Sequence, residues 1–231
     1  MSKGVQRIFS QVSHTYEMIN HFLTFGLDVF WRRKASRIAA KDGGERWLDV
    51  CSGTGETAAY LQKHANGRAS VVTADFSLPM TRVASQQHKA KQIAMTLAAA
   101  KQLPYPDNTF DLVIISFATR NINKNKESLL EYLSEFRRVL KPGGRFVNLE
   151  TSQPKSRIIR WLFHLYIRLT VKPLGTLISG SKSGYSYLAY TVPRFYSAEK
   201  FEFILREAGF SSVGFKRMTL GLAAIHWAIK P

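Results

Sequence analysis

Short apolar runs recur through the middle of the chain, each separated from the next by a stretch of helical periodicity. Trp47–Val50, Val71–Ala74, Ala94–Ala98, Phe110–Ser116 and Arg145–Glu150 read as strands. Thr57–His64, Pro79–Lys91 and Lys126–Leu140 read as the helices between them. Strands alternating with helices of this length predict an α/β fold whose parallel sheet is joined by right-handed crossovers. Leu103-Pro104-Tyr105-Pro106-Asp107-Asn108 marks a turn before the fourth strand, and Lys141-Pro142-Gly143-Gly144 stops a helix ahead of the fifth. Ser197 caps a last helix that Gly209 ends. Two further runs, Ser212–Met218 and Ala223–Ile229, lie close together around Gly221 and predict a closing antiparallel hairpin.

The flanks read differently. Val5, Ile8, Phe9, Val12, Tyr16 and Ile19 recur at helical spacing, and Phe22, Phe25, Phe30 and Trp31 follow as an aromatic cluster ahead of Arg32-Arg33-Lys34. Two readings stand: a helix pair capping the core with a solvated basic face, or a lid over an apolar substrate. Between Thr151 and Ala198 no Asp or Glu occurs, yet there are seven Lys or Arg, so this stretch is set apart from the rest. Gly175, Gly180 and Gly184 read as loops there, with Tyr185, Tyr187 and Tyr190 as aromatic surface. One domain is expected, divided into a helical lid (1–41), a ligand-binding core (42–152), a basic helical insertion (153–196) and a C-terminal helix and hairpin (197–231).

Composition narrows the setting. No apolar run reaches spanning length, and the opening Met1-Ser2-Lys3-Gly4 is expected to carry no signal peptide. Cys51 is the sole cysteine, which excludes an internal disulfide and fits a reducing, cytoplasmic setting. The net charge of +17 favours a polyanionic partner, either nucleic acid or an anionic membrane surface. Arg157, Arg160, His164, Arg168 and Lys172 share one helical face, with bulky aliphatics, Trp161 and Phe163 on the others. That composition suits a bilayer interface; it also suits a helix packed on the domain with a solvated cationic stripe.

The chemistry is concentrated in one turn. The first strand breaks at Cys51-Ser52-Gly53-Thr54-Gly55, and a helix follows at once. Strand, small-residue turn and helix bring backbone N–H groups close to a ligand. Asp75 ends the second strand, where a carboxylate suits a ribose diol or caps the next helix. No paired carboxylates, nucleophile triad or metal-ligand cluster stands out, so no metal centre is expected.

Asp49-Val50-Cys51-Ser52-Gly53-Thr54-Gly55, Asp75, the Leu103–Asp111 segment and Leu140-Lys141-Pro142-Gly143-Gly144 resemble the class I S-adenosylmethionine-dependent methyltransferases, which share a Rossmann-like sheet. Tyr16 with Asn20, Phe25-Gly26 with Trp31, Ser116-Phe117 with Arg120-Asn121, and Thr219-x-Gly221 with His226 narrow the likeness to the ubiquinone/menaquinone biosynthesis C-methyltransferases. The resemblance implies S-adenosylmethionine as cofactor, contacted at Gly53, Thr54, Gly55, Asp75, Ala99, Ala100 and Ser116. Ala99-Ala100-Lys101 departs from the family's usual Asn-Ala-Glu.

The reaction so implied is methyl transfer to a ring carbon of a reduced polyprenyl quinone, demethylmenaquinol first among the substrates. An aromatic carbon is a weak nucleophile, and a phenol's pKa of about 10 means the ring hydroxyl must be deprotonated or held by hydrogen bonds. Arg120 is expected to stabilise the phenolate, with Asn121 orienting it and His226 or Tyr16 accepting a proton. An anionic membrane surface is the expected partner, reached from the cytoplasmic side, and self-association into a homo-oligomer is left open. Charge alone would favour a nucleic-acid methyltransferase, but the basic stripe is interleaved with aliphatics that suit lipid better than phosphate and bases. A non-catalytic membrane-associated binding protein is the rival of another class.

Overall fold

A computed structural model describes residues 16–86, 93–171 and 182–231, and the side chains of Tyr16 and of 182–185 lie outside what it describes. Seven strands form one sheet in the order β3-β2-β1-β4-β5-β7-β6. The strands are β1 (Arg46–Val50), β2 (Ser70–Asp75), β3 (Ala94–Leu97), β4 (Phe110–Ser116), β5 (Leu140–Thr151), β6 (Ser211–Met218) and β7 (Ala223–Ile229). The first five pair in parallel, while β7 runs antiparallel to both β5 and β6. The expected parallel sheet with a closing hairpin is therefore what the chain forms. Its last strand inserts between β5 and β6.

Helices cover both faces. α1 (Tyr16–Leu23) and α2 (Leu27–Ala39) precede the sheet, and α3 (Glu56–Ala65), α4 (Leu78–Gln86) and α6 (Lys126–Val139) are its crossovers. A single helical turn, α5 (Thr119–Ile122), follows β4. α7 (Arg157–Tyr166) runs on into a π-helical turn, Ile167–Val171, and α8 (Lys182–Thr191) and α9 (Ala198–Glu207) come before the hairpin. Val5, Ile8, Phe9, Val12, the end of the expected Pro79–Lys91 helix, Lys172, Gly175 and Gly180 lie outside the described residues.

On one face of the sheet Phe136, Phe146 and Phe210 stack at 5.9 and 5.3 Å between centroids, tying α6 and the start of β6 to β5. On the other, Trp31 and Ala35 of α2 pack with Ile114, Val147, Leu149 and Ile225. Each large side chain removed from water contributes roughly 1.5–3 kcal/mol. Such burial, rather than intrinsic propensity, holds α2 in place. Trp31 Nε1 also donates to Thr219 Oγ1 at 2.9 Å, pinning the N-terminal helices to the hairpin turn.

Two expectations need correcting. β5 begins at Leu140, so Pro142-Gly143-Gly144 lies within an irregular strand instead of before it. The irregular segment is held because Gly143 N–H donates to Lys230 O and Lys230 N–H to Gly144 O, each at 2.9 Å. Gly184, read as a loop, belongs to α8. Leu188 and Ala189 of that helix pack against a small core of Ile19, Leu23, Ile167, Val171 and Val192, and this tertiary contact outweighs the helix cost of one glycine.

Candidate functional site

The strand order reverses between β1 and β4, and the crevice at such a point is where open α/β sheets bind ligands. Local backbone opens it here. Cys51 and Phe117 are the first residues after β1 and β4, and they donate to Ala74 O and Leu149 O at 2.7 Å. Each then turns left-handed, with φ of 55°, which is costly for a side-chain-bearing residue. Gly53 and Gly55 continue the turn at φ of 57° and 84°. A Cβ on Gly53 would meet nothing within 4 Å, so its requirement is the backbone angle and the open space lies over the turn.

The resulting polar cleft has a volume of about 520 Å³ and takes Gly53 and Thr54 from β1's turn, Asp75 from β2, and Ser116 from the end of β4. Asn121 reaches it from α5. Asp75 is buried; its Oδ2 accepts from Gly53 N–H and its Oδ1 from Ser77 N–H, both at 2.8 Å. Burial raises its pKa, and the N–H groups of Ser77, Gly53 and Phe76 pull it back. Asp75 thus closes the turn ahead of α4 and lines the cleft at once, because each carboxylate oxygen keeps a further lone pair. Ser77 Oγ, Ser116 Oγ and Asn121 Oδ1 are buried without a hydrogen-bond partner. Buried polar atoms are rarely left so, and these three line the cleft. Phe76 and Met80 give it an apolar side. Below the turn, Asp49 is buried, and burial pushes its pKa up to about 7 against the pull of Arg32 and the Ala58 backbone N–H.

A second, larger pocket of about 1310 Å³ lies beside the first. Leu23 and Phe25 of the N-terminal helices, Phe163 and Ile167 of the insertion, and Leu188 of α8 make it mainly apolar. The N-terminal helices thus do two things: Trp31 and Ala35 pack on the sheet, and Leu23 and Phe25 line this pocket. Phe117 and Arg32 line both spaces and form the wall between them. The Arg32 guanidinium stands 5.0 Å from the Phe117 ring centre.

Arg120 is buried and lines the apolar pocket, whereas its neighbour Asn121 lines the polar cleft. Arg120 Nη1 donates to Glu150 Oε1 at 2.7 Å and to Thr151 Oγ1 at 3.2 Å. Glu150 Oε2 accepts from the Arg120 backbone N–H at 3.0 Å. Arg120 Nε is buried without a hydrogen-bond partner. Burial raises the Tyr187 phenol pKa, and the charges of Arg120 and Glu150 act on it in opposite directions.

Other expected residues fall elsewhere. His226 lines neither space: it is buried beneath α9, where Nε2–H donates to Ala198 O at 2.9 Å and Phe201 stands edge-on at 4.9 Å. Burial lowers its pKa to about 4, so it is a packed, neutral histidine. Ala99 is exposed and Ala100 joins the core; neither lines the cleft, since β3 is the edge strand, two strands from the reversal. Tyr16 opens α1, but its side chain lies outside the described residues.

One cluster was not legible in advance. His21, Asp28 and Glu56, from three helices, offer ligand atoms within 4.8 Å of one another. His21 Nδ1 is 2.6 Å from Asp28 Oδ2 and its Nε2 is 3.3 Å from Glu56 Oε1. Arg32 Nε stands 3.4 Å from Glu56 Oε2.

Part of the insertion's basic face is exposed, at Arg157 and Arg168, and part turns back on the domain. Arg160 turns back to donate to Pro154 O at 3.0 Å, and His164 Nε2 lies 2.8 Å from Gln153 Oε1. Ile158 and Trp161 instead point outward, 73% and 61% exposed, and Leu162, 51% exposed, sits at the edge of the apolar pocket it helps to line. Phe25 is 81% exposed, with its ring 6.0 Å from Tyr166, so the apolar surface continues onto the N-terminal helices. No helix among the described residues is long and apolar enough to cross a membrane.

Comparison with known proteins matches this architecture. A demethylmenaquinone methyltransferase from Thermus thermophilus is 37% identical over 226 residues, covering 97% of this chain and 100% of the relative. A ubiquinone/menaquinone biosynthesis C-methyltransferase from Desulfotalea psychrophila is 35% identical, covering 98% and 90% of the two chains. Among solved structures, a Thermotoga maritima S-adenosylmethionine-dependent methyltransferase superposes with a TM-score of 0.67 at 17% identity, covering 97% of this chain and 99% of its own. The ubiE/COQ5 methyltransferase family model matches residues 1–230, and the chain belongs to that family of S-adenosylmethionine-dependent methyltransferases.

Proposed function

We propose that the chain transfers a methyl group from S-adenosylmethionine to a ring carbon of a reduced polyprenyl quinone, demethylmenaquinol in the first instance. The observation that carries this reading is the meeting of a polar cleft and a large apolar pocket across the Phe117–Arg32 wall. The polar cleft fits the cofactor: unpartnered hydroxyls of Ser77 and Ser116, the Asn121 carbonyl and the Asp75 carboxylate suit a nucleoside, and Phe76 and Met80 suit its base. When bound, S-adenosylmethionine supplies an electrophilic methyl on sulfur.

The protein's part is alignment and charge. Phe117 and the apolar pocket exclude water from the acceptor ring and its isoprenoid tail. Arg120, at the floor of that pocket, steadies the ring oxygen as phenolate through its unused Nε–H, and this pushes electron density onto the ortho carbon. Glu150 holds the guanidinium in place. The ring carbon would gain the methyl as the methyl–sulfur bond breaks, and its proton would pass to the ring oxygen, so the net proton released is the one the phenol gave up to solvent on ionising. The substrate lives in the bilayer, so the chain is proposed to work as a peripheral protein on the cytoplasmic face, with the exposed side chains Ile158, Trp161 and Leu162 meeting the lipid. The test is incubation with methyl-labelled S-adenosylmethionine and, in parallel, demethylmenaquinol, a demethoxyquinol and bulk RNA. Label is expected in the first. Label only in RNA, or in none, would overturn the proposal.

A further inference from the structure

We propose that Asp28 and His21 form a proton relay, which carries the ring-hydroxyl proton of the acceptor out of the apolar pocket to solvent. The inference rests on the quinol reading above and assigns the base which that reading needs.

The pocket offers few candidates for a base. His226 is packed under α9, and among the described residues that line the pocket Asp28 is the only carboxylate and no histidine occurs. Asp28 shares this lining with Arg120, so the group that steadies the ring oxygen and the group that takes its proton face one space. The Asp28 side chain is 3% exposed and held at both oxygens: Oδ1 lies 2.7 Å from Thr24 Oγ1, and Oδ2 lies 2.6 Å from His21 Nδ1. His21 does not line the pocket, and its side chain is 36% exposed. One imidazole ring therefore joins the buried carboxylate to water.

The second ring nitrogen completes the path. His21 Nε2 stands 3.3 Å from Glu56 Oε1, and Glu56 Oε2 is paired with Arg32 at 3.4 Å. The charged groups around the imidazole are thus Asp28 and Arg32 of α2, Glu56 of α3, and Glu17 of its own helix, whose charge also reaches Glu56. An imidazolium formed there meets a carboxylate at each nitrogen, as a charge-assisted hydrogen bond. In its Nε2–H tautomer the neutral ring donates to Glu56 and presents Nδ1 to Asp28. The quinol O–H bond breaks, its electron pair stays on the ring oxygen beside Arg120, and the proton moves through Asp28 to Nδ1. Concerted transfer makes the imidazole, not the carboxylate, the base that sets the driving force. Histidine exchanges protons readily near neutral pH, and the imidazolium returns one to water from its exposed edge. One proton leaves per methyl transferred, which is the balance the reaction requires.

The test follows methyl transfer by the full chain to a short-tailed demethylmenaquinol, from about pH 6 to about pH 10. Asp28→Asn, His21→Ala and His21→Gln are each expected to lower kcat about 100-fold near neutral pH, the scale of general-base catalysis. S-adenosylhomocysteine affinity within about 2-fold of wild type reports an intact fold in each. Imidazole in the buffer is expected to raise the His21→Ala rate about 10-fold or more, because that site opens to water, and to leave Asp28→Asn, whose site is enclosed, unchanged. All three variants should approach wild type toward about pH 10, where a phenol ionises unaided. A loss that neither imidazole nor high pH reduces would make the pair structural and overturn the relay, as would an unchanged kcat in Asp28→Asn or His21→Gln. Wild type that binds S-adenosylhomocysteine yet leaves the quinol unmethylated would bring down the quinol reading and the relay with it; an active wild type with unaffected variants would bring down the relay alone.

Discussion

Arg120 and Glu150 hold each other twice: the guanidinium donates to Oε1 at 2.7 Å, and Oε2 accepts from the Arg120 backbone N–H at 3.0 Å. The pair is buried, and removing one partner of such a pair typically costs about 3–5 kcal/mol. Arg120→Lys is the informative variant, because it keeps the charge and loses the fork. The expected result is a fall in kcat of about 100-fold, the scale for one lost transition-state donor, with cofactor affinity within about 2-fold. A paired Arg120→Met, Glu150→Leu variant should regain folding stability without regaining rate. Equal losses in rate and cofactor affinity for Arg120→Lys would remove Arg120 from the chemistry.

Asp75 links the first two strands' ends as well as lining the cleft. Asp75→Ala leaves the Gly53 and Ser77 N–H groups without their acceptor. Cofactor affinity, read by calorimetry, is expected to fall at least about 10-fold, since a hydrogen bond to a charged group is worth about 1.5–3 kcal/mol. Asp75→Asn, which retains one carbonyl oxygen, should fall between. Wild-type affinity in Asp75→Ala would exclude the carboxylate from the cofactor site.

The insertion's two kinds of exposed residue predict two kinds of membrane dependence. Arg157 and Arg168 are exposed, and each cation near an anionic surface contributes roughly 1 kcal/mol that salt screens. Trp161, Leu162 and Ile158 would contribute salt-independent burial. Changing these three to Glu should abolish co-sedimentation with anionic vesicles at any ionic strength. Arg157→Glu with Arg168→Glu should remove only the salt-sensitive part. Undiminished sedimentation of the apolar triple variant would show that this face does not meet lipid.

His226 predicts acid sensitivity. Its folded pKa of about 4 lies below the ordinary value of 6.5, so its contribution to stability is present above pH 6.5 and lost as pH falls toward 4. The total is about 3 kcal/mol at about 1.4 kcal/mol per pH unit. Denaturant unfolding of His226→Gln should show a shallower loss over that window. An identical slope would mean the imidazole is not what titrates.

Asp49 acts in the opposite direction. Its carboxyl is raised to about 7 from 3.8, so stability is full below about pH 4 and declines as pH rises through 7. Asp49→Asn should therefore be more stable than wild type at pH 8 by up to about 4 kcal/mol, with the advantage shrinking at pH 5. A pH-independent difference would contradict a buried, titrating carboxyl.

The sequence by itself determined the strand-and-helix alternation, the small-residue turn around Gly53, the placement of Asp75 at a strand end and the closing hairpin. Each is written within a short window, where periodicity, glycine and strand ends act directly on the backbone. It also showed which residues of α7 share a face, but not which face is covered. Only the tertiary structure decided that Arg160 turns inward and Trp161 outward, that His226 is packed under α9, and that Ala99 lies outside the cleft. The same holds for contacts that join distant segments: Arg32 to Thr57 across 25 residues, Arg120 to Glu150 across 30, and Trp31 to Thr219 across 188. Such partners are chosen by how crossover helices pack on a twisted sheet, and no local pattern in the chain encodes that choice.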